Sequence, residues 1–154
     1  MLEPIVKTIE VPCSKETAFN VFINEMDSWW PLDRFTTSAL GGSVAKSIRV
    51  EAKPGGEIVE IGPDDTKHLW GTINTYDPYD YISMDFHVPH PSEVDINRSL
   101  VEVRFTTIDD GQTRVELTQS NWEAFGEMAQ MVYGGYGQAW NLIFAQAYKA
   151  ACGG

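Results

Sequence analysis

Acid–base, metal or nucleophilic chemistry needs imidazoles, carboxylates or thiolates at defined spacing, and this chain offers few. His87 and His90 stand within a few residues of Asp85 and Glu93, in the stretch "DFHVPHPSE". That stretch is broken by Pro89 and Pro91 and has none of the spacings of a metal site, so no metal is expected. If the chain is an enzyme, proton transfer falls to Tyr136, His90 or Asp85. The segment "GGSVAKS" at 41–47 lacks the spacing of a phosphate loop, and "GGYGQ" at 134–138 does not fit a dinucleotide fingerprint. No cofactor and no catalytic constellation are expected.

The chemistry that the composition favours is apolar recognition. Five Trp, six Tyr, seven Phe and five Met occur in 154 residues. Small-molecule sites are mostly apolar, with a few polar groups that fix orientation. Met supplies adaptable surface, and Tyr and Trp each carry one hydrogen-bonding group. The candidate wall of a cavity is Trp30, Met84, Phe86, Met131, Tyr136, Trp140 and Phe144, with Trp70 and Trp122 beside them. Gln119, next in alternation after Leu117, is the candidate orienting polar group. The competing reading is a closed, dry core made of the same residues. Trp29 and Trp30 carry this ambiguity in its sharpest form. Adjacent helical residues point about 100° apart, so the two indoles cannot fill one slot. Either both pack, or one anchors the turn while the other lines a cavity.

These side chains are positioned by elements with clear periods. "PIVKTIEVP" alternates as a strand. "CSKETAFNVFINEM" then changes to a helical period, with Ser14 as N-cap and Ala18, Phe19, Phe22 and Ile23 on one face. A second short helix, "MDSWW", must end by Trp30, because the residue before Pro31 is driven out of the helical region. Residues 31–45 show no period and read as an irregular segment of the length typical of lids and binding loops. Six strands follow: "KSIRVEA", "GEIVEI", "KHLWGTINTY", "DYISMDFHV", "SLVEVRFTTI" and "TRVELTQSN". They are separated by turn signals such as Pro54-Gly55-Gly56 and Asp110-Gly111. Ile82, Met84 and Phe86 share a face, as do Val101, Val103 and Phe105, and Val115 and Leu117. The acidic residues mostly take the opposite, solvated parity. From Glu123 to Ala151 apolar residues recur at helical steps, with Gly134-Gly135 a candidate kink or interruption.

The order is strand, two short helices, six strands as a meander, and one long helix. A sheet with one apolar face needs a cover, and the last helix is the only element large enough. The expected fold is α+β, a curved antiparallel sheet of about seven strands wrapped around a C-terminal helix, with residues 1–154 as a single domain. Alternate turns of a meander share an end, so the turns at 62–66, 89–97 and 121–127 lie together. An opening between sheet and helix is expected at that end.

The pattern resembles the helix-grip fold of the START and birch-pollen-allergen superfamily. Within it, the chain resembles the family related to the activator of the 90-kDa heat-shock protein ATPase. The resemblance rests on Trp29-Trp30-Pro31, "EAKPGGEIVE" at 51–60 and "WGTINTYDPYDYISMDF" at 70–86, with "RVELTQSNW" at 114–122 and "GYGQAWNLIF" at 135–144. It implies three functions. One is a carrier of a small hydrophobic or aromatic ligand held between sheet and helix. A second is a polyketide cyclase or aromatase. The third is a domain that stimulates a chaperone ATPase, although in the named relatives that activity involves a separate N-terminal domain.

Charge narrows the partners. A net charge of −11, from 22 acidic and 11 basic residues, opposes phosphate backbones and anionic membrane surfaces. Neither nucleic acid nor a membrane is therefore an expected partner; a small hydrophobic molecule is. The first residues contain no long apolar run, so no signal peptide is expected. Cys13 and Cys152, far apart in sequence, are expected to be free thiols, and a cytoplasmic location follows.

Overall fold

The computed structural model describes residues 2–154. Its sheet is a single antiparallel half-barrel of seven strands: β1 (Ile5–Val11), β2 (Ser47–Val50), β3 (Glu57–Ile61), β4 (Lys67–Asp77), β5 (Tyr81–Phe86), β6 (Ser99–Asp109) and β7 (Gln112–Ser120). The strands lie in the order β1-β7-β6-β5-β4-β3-β2. β2 to β7 are thus a plain meander, and β1 closes the far edge by pairing with β7, Ile5 opposite Gln119 and Val11 opposite Thr113. Register shifts at Ile58/Val59 and Ile73/Thr75 add local twist. Between them, Gly71 lets β4 approach β5. A Cβ there would lie 1.7 Å from the Asp85 carbonyl oxygen.

Helix α1 (Lys15–Asn24) starts where Ser14 accepts a hydrogen bond from the Thr17 N–H, and buries Ala18, Phe19, Val21, Phe22 and Ile23. Helix α2 (Met26–Trp29) ends as Pro31 requires. The segment expected to be irregular contains a helix α3 (Thr37–Leu40), capped by Thr36, whose hydroxyl accepts from the Ala39 N–H. One turn is too short to show a period, and a cap followed by "TSAL" is its only local signal.

The final helix is α4 (Ala129–Leu142), a π-helical segment Ile143–Tyr148 and α5 (Lys149–Ala151). Gly134-Gly135 does not interrupt it. Glycine's cost in a helix is entropic and leaves the hydrogen bonds intact, so neighbouring packing overrides it. The breaks lie elsewhere. A 3-10 segment, Trp122–Met128, precedes α4 and bends at Gly126, where φ is 56°.

The concave face of the sheet, α1, α2 and the final helix bury one continuous core, in which Trp29, Trp30, Trp70, Trp122 and Trp140 are the bulkiest members. Cys13 and Cys152 are free, and their side chains meet in space where the chain end returns to β1. Among the described residues no helix is long and apolar enough to cross a membrane.

Candidate ligand cavity

The two indoles diverge as their helical positions require. Trp29 turns towards Phe22 and Tyr148, and its Nε1–H donates to the Val21 carbonyl at 2.7 Å. Trp30 turns the other way, 4.9 Å between ring centres from Trp70 and 6.0 Å from both Phe86 and Trp140. Its Nε1–H donates to the Phe35 carbonyl at 3.1 Å, pinning a residue held at φ 53° in the left-handed region. Both rings are buried, and the edge of Trp30 also borders open space.

That space is a cavity of about 370 Å³. Three walls bound it: Trp30, Phe35 and Leu40 from the α2–β2 connection, residues 87–93 of the β5–β6 connection, and one face of α4. The helix contributes Met131, Val132, Gly135, Tyr136 and Ala139, with Ile143 below them. The lining is almost wholly apolar. Gly135 is part of this lining, and a Cβ on it would meet nothing within 4 Å, so the wall has room for a side chain there.

Of the residues expected to line a cavity, Trp30, Met131 and Tyr136 do so. Trp70, Met84, Phe86, Gln119, Trp140 and Phe144 stand behind the wall, each at most 2% exposed. Their rings and side chains close the gap between sheet and helix, and the void lies beside that gap instead. Gln119 is fully engaged there. Its Oε1 accepts from Trp140 Nε1–H at 2.7 Å, and its Nε2–H donates to Ser99 Oγ at 2.9 Å. Ser99 in turn donates to the Phe86 carbonyl at 2.6 Å, so the amide orients core residues. Trp122 is also buried, packed at 5.0 Å on Tyr133.

Two buried polar groups outside the expected set hold the walls. Glu60 is fully buried on β3, on the same parity as Ile58. Its carboxylate accepts from the Thr37 N–H (2.7 Å), the Ser38 N–H (2.9 Å), Ser38 Oγ (2.5 Å) and Trp70 Nε1 (3.0 Å). Four donors on one carboxylate dock α3 onto β3, one strand in from the edge, and so fix the first wall. The alternation of β3 carries the signal: Glu60 breaks the rule that acidic residues face solvent.

The second group is a hydrogen-bonded chain through His87. Tyr136 Oη lies 2.8 Å from the Val88 nitrogen and 2.8 Å from His87 Nδ1. The Val88 N–H can only donate, so the Tyr136 hydroxyl accepts from it and donates its own proton to Nδ1. His87 is then the Nε2–H tautomer, donating to Glu93 Oε1 at 3.2 Å. The same oxygen accepts from the His90 N–H at 2.9 Å. Burial lowers the His87 pKa, outweighing the pull of Glu93, and keeps the ring neutral near pH 7. Burial likewise holds the Tyr136 phenol well above its ordinary range. The chain pins α4 to the β5–β6 connection. It also places a neutral imidazole and a phenol at the cavity wall. Among the described residues no cluster of three or more His, Cys, Asp or Glu side chains could hold a metal ion.

A curved sheet around one long helix, with a side cavity at the open end, defines a helix-grip protein. Residues 12–147 match the family model described as "Activator of Hsp90 ATPase homolog 1-like protein", and the chain belongs to that family. Among solved structures, it is similar to the anthrahydroquino-γ-pyrone synthase Txn09, at 26% identity over 86% of this chain and 85% of that one (TM-score 0.60). It is also similar to CalC, a self-sacrificing resistance protein from Micromonospora echinospora, at 21% identity over 97% and 93% (TM-score 0.68). An Hsp90 activator from Plasmodium falciparum shares 20% identity over 90% and 92% (TM-score 0.53). Comparison with curated proteins yields no match.

Proposed function

We propose that the chain binds one small, largely apolar molecule in the cavity beside Trp30 and α4. The observation that carries this reading is the almost wholly apolar lining of the void. About 370 Å³ bounded by Trp30, Phe35, Leu40, Met131 and Tyr136 falls within the roughly 300–1,000 Å³ of small-molecule sites. An apolar hole open to water is unfavourable to leave empty, and an apolar guest recovers that free energy. The planar indole of Trp30 and the ring of Tyr136 suit an aromatic guest. The test pairs native mass spectrometry of the freshly purified protein with titration of the neutral fluorophore N-phenyl-1-naphthylamine. Saturable one-to-one binding that quenches tryptophan emission is expected. Absence of any saturable phase, with a bare native mass, would remove the proposal.

The Glu93–His87–Tyr136 chain favours a second reading, a cyclase-like enzyme, to which the likeness to the synthase Txn09 lends support. A phenolic or enolic guest would give its proton to Tyr136 Oη as the tyrosine proton passes to His87 Nδ1. The result is a guest anion and an imidazolium held by Glu93. Conversion of a bound β-polyketone by the wild type and its loss in Tyr136→Phe would establish this reading. Recovery of the guest unchanged would eliminate it.

A further inference from the structure

We infer that the cavity selects molecules that join an apolar ring body to a protonated amine, and that Glu93 is the residue that reads the amine. The inference rests on the cavity being a ligand site. Its wall carries a single formal charge, that of Glu93. One carboxylate oxygen is already held, Oε1 accepting from His87 Nε2–H and the His90 N–H. Oε2 has no protein partner among the described residues, and the side chain is 34% exposed. A carboxylate locked by one oxygen and open at the other is a preorganised acceptor. A cationic donor gains most from it.

Among the described residues no Lys or Arg forms an ion pair with this carboxylate. His87 is kept uncharged by burial. The charge of Arg98 bears on His87, and its guanidinium is held in place on the backbone, away from an ion pair with Glu93, Nε donating to the Trp70 carbonyl at 3.1 Å and Nη2 to the Leu69 carbonyl at 2.9 Å. No Lys or Arg lines the cavity, nor does one line the adjoining space of about 440 Å³ that shares His87, His90 and Glu93 with it. That second space adds Asp95, Ser92 and Asn97, so a guest reaching past Glu93 meets acceptors and a further negative charge. The rings would sit against Trp30 and Tyr136, the ammonium at Glu93 Oε2, and polar substituents beyond. A carboxylate or phosphate on the same rings would meet Glu93 with no Lys or Arg in the lining to pair with it. Anionic guests are therefore disfavoured by the site as well as by the overall charge of −11.

The test is displacement of bound N-phenyl-1-naphthylamine at pH 7 by three matched compounds: 2-naphthylmethylamine, 2-methylnaphthalene and 2-naphthylacetate. In the wild type the amine is expected to displace the probe at a tenfold or greater lower concentration than the carboxylate, with the neutral compound between them. In Glu93→Gln the amine-to-carboxylate ratio is expected to fall below threefold. Equal displacement by amine and carboxylate in the wild type overturns the inference and leaves the cavity proposal standing. So does an unchanged ratio in a folded Glu93→Gln. Failure of the neutral compound and of the probe to bind removes the cavity proposal, and the inference falls with it. Should Glu93→Gln unfold, the wild-type ratio measured from about 20 to 500 mM salt decides the matter, since screening must compress a charge-based preference. A ratio indifferent to salt overturns the inference.

Discussion

Gly135→Leu separates the cavity from the fold, because its effects on stability and on binding have opposite signs. Gly135 lies in the middle of α4, where glycine costs about 0.8–1.0 kcal/mol relative to Ala and Leu is nearly as favourable as Ala. A Cβ there meets nothing within 4 Å, so no clash offsets that gain. The leucine would also cover part of an apolar wall. A net gain of about 1 kcal/mol is expected, raising Tm by about 2–4 °C for a chain of this size. The same side chain places four carbons in the void. If each displaces one guest atom contributing about 0.3 kcal/mol, the loss is about 1.2 kcal/mol, close to tenfold in affinity. Gly134→Ala is the matched control, since a Cβ at Gly134 also meets nothing and Gly134 is not part of the wall. It should stabilise by a similar amount and leave probe affinity unchanged. Calorimetry and N-phenyl-1-naphthylamine titration on the three proteins suffice. A destabilised Gly135→Leu would mean that the position faces packed atoms. A stabilised Gly135→Leu that binds the probe as tightly as wild type would refute the location of the site.

Three further outcomes follow from the buried polar groups. Glu60→Gln replaces one acceptor oxygen with an amide nitrogen that must face either the Thr37 and Trp70 donors or the Ser38 N–H and hydroxyl, so urea unfolding should show a loss of about 3 kcal/mol, with weaker probe binding as Phe35 and Leu40 loosen. His87 has a folded-state pKa below the unfolded value of about 6.5, so the unfolded chain takes up the proton first. Its stabilising effect is complete above about pH 6.5 and is lost as pH falls towards the folded pKa, so the urea midpoint of wild type should drop over that window more steeply than that of His87→Gln. Burial pushes the Cys152 thiol up to about 12 and raises Cys13 as well, so iodoacetamide at pH 8 should leave Cys152 unmodified in the folded protein and label it in urea.

Most of the fold could be read from periodicity, because an alternation of 2 against 3.6 is a local property. The inward set Ile82, Met84 and Phe86, and its partners on β6 and β7, are buried as the alternation requires. The end of the meander where the void lies also follows from connectivity alone. The site itself was less legible, for reasons specific to each residue. Phe86, Trp140 and Phe144 are the right types for a cavity wall, but packing density has no trace in a one-dimensional pattern, and here the density is high. His87 falls one residue beyond β5, where strand parity no longer governs direction, and it turns inward to 5% exposure. Gly135 reads in the sequence as a threat to the helix. Its role is the space it leaves, and absence of a side chain is visible only once its surroundings are known. Glu60 could have been read and was passed over, since an acid on the parity of Ile58 requires buried donors.

Why the void stays open is a question of which residues fix its edges. The hydrophobic effect alone would collapse an apolar cavity of this kind, and the neighbouring sheet–helix gap is in fact fully closed by rings about 5–6 Å apart. Collapse at the side cavity would require one of three walls to move inward. The α3 wall is held by the four donors on Glu60, which inward motion would leave unpaired in a buried setting. The β5–β6 wall is tied to α4 through the Val88 N–H and His87, both meeting at Tyr136 Oη. The α4 wall is fixed from behind by Trp140 through Gln119 and Ser99 to the backbone of β5. Each wall is thus held by polar bonds that closure would have to break in a buried setting. At position 135 no side chain enters the space between them. Walls and space depend on different residues, which is why filling the void and breaking its walls are expected to move stability in opposite directions.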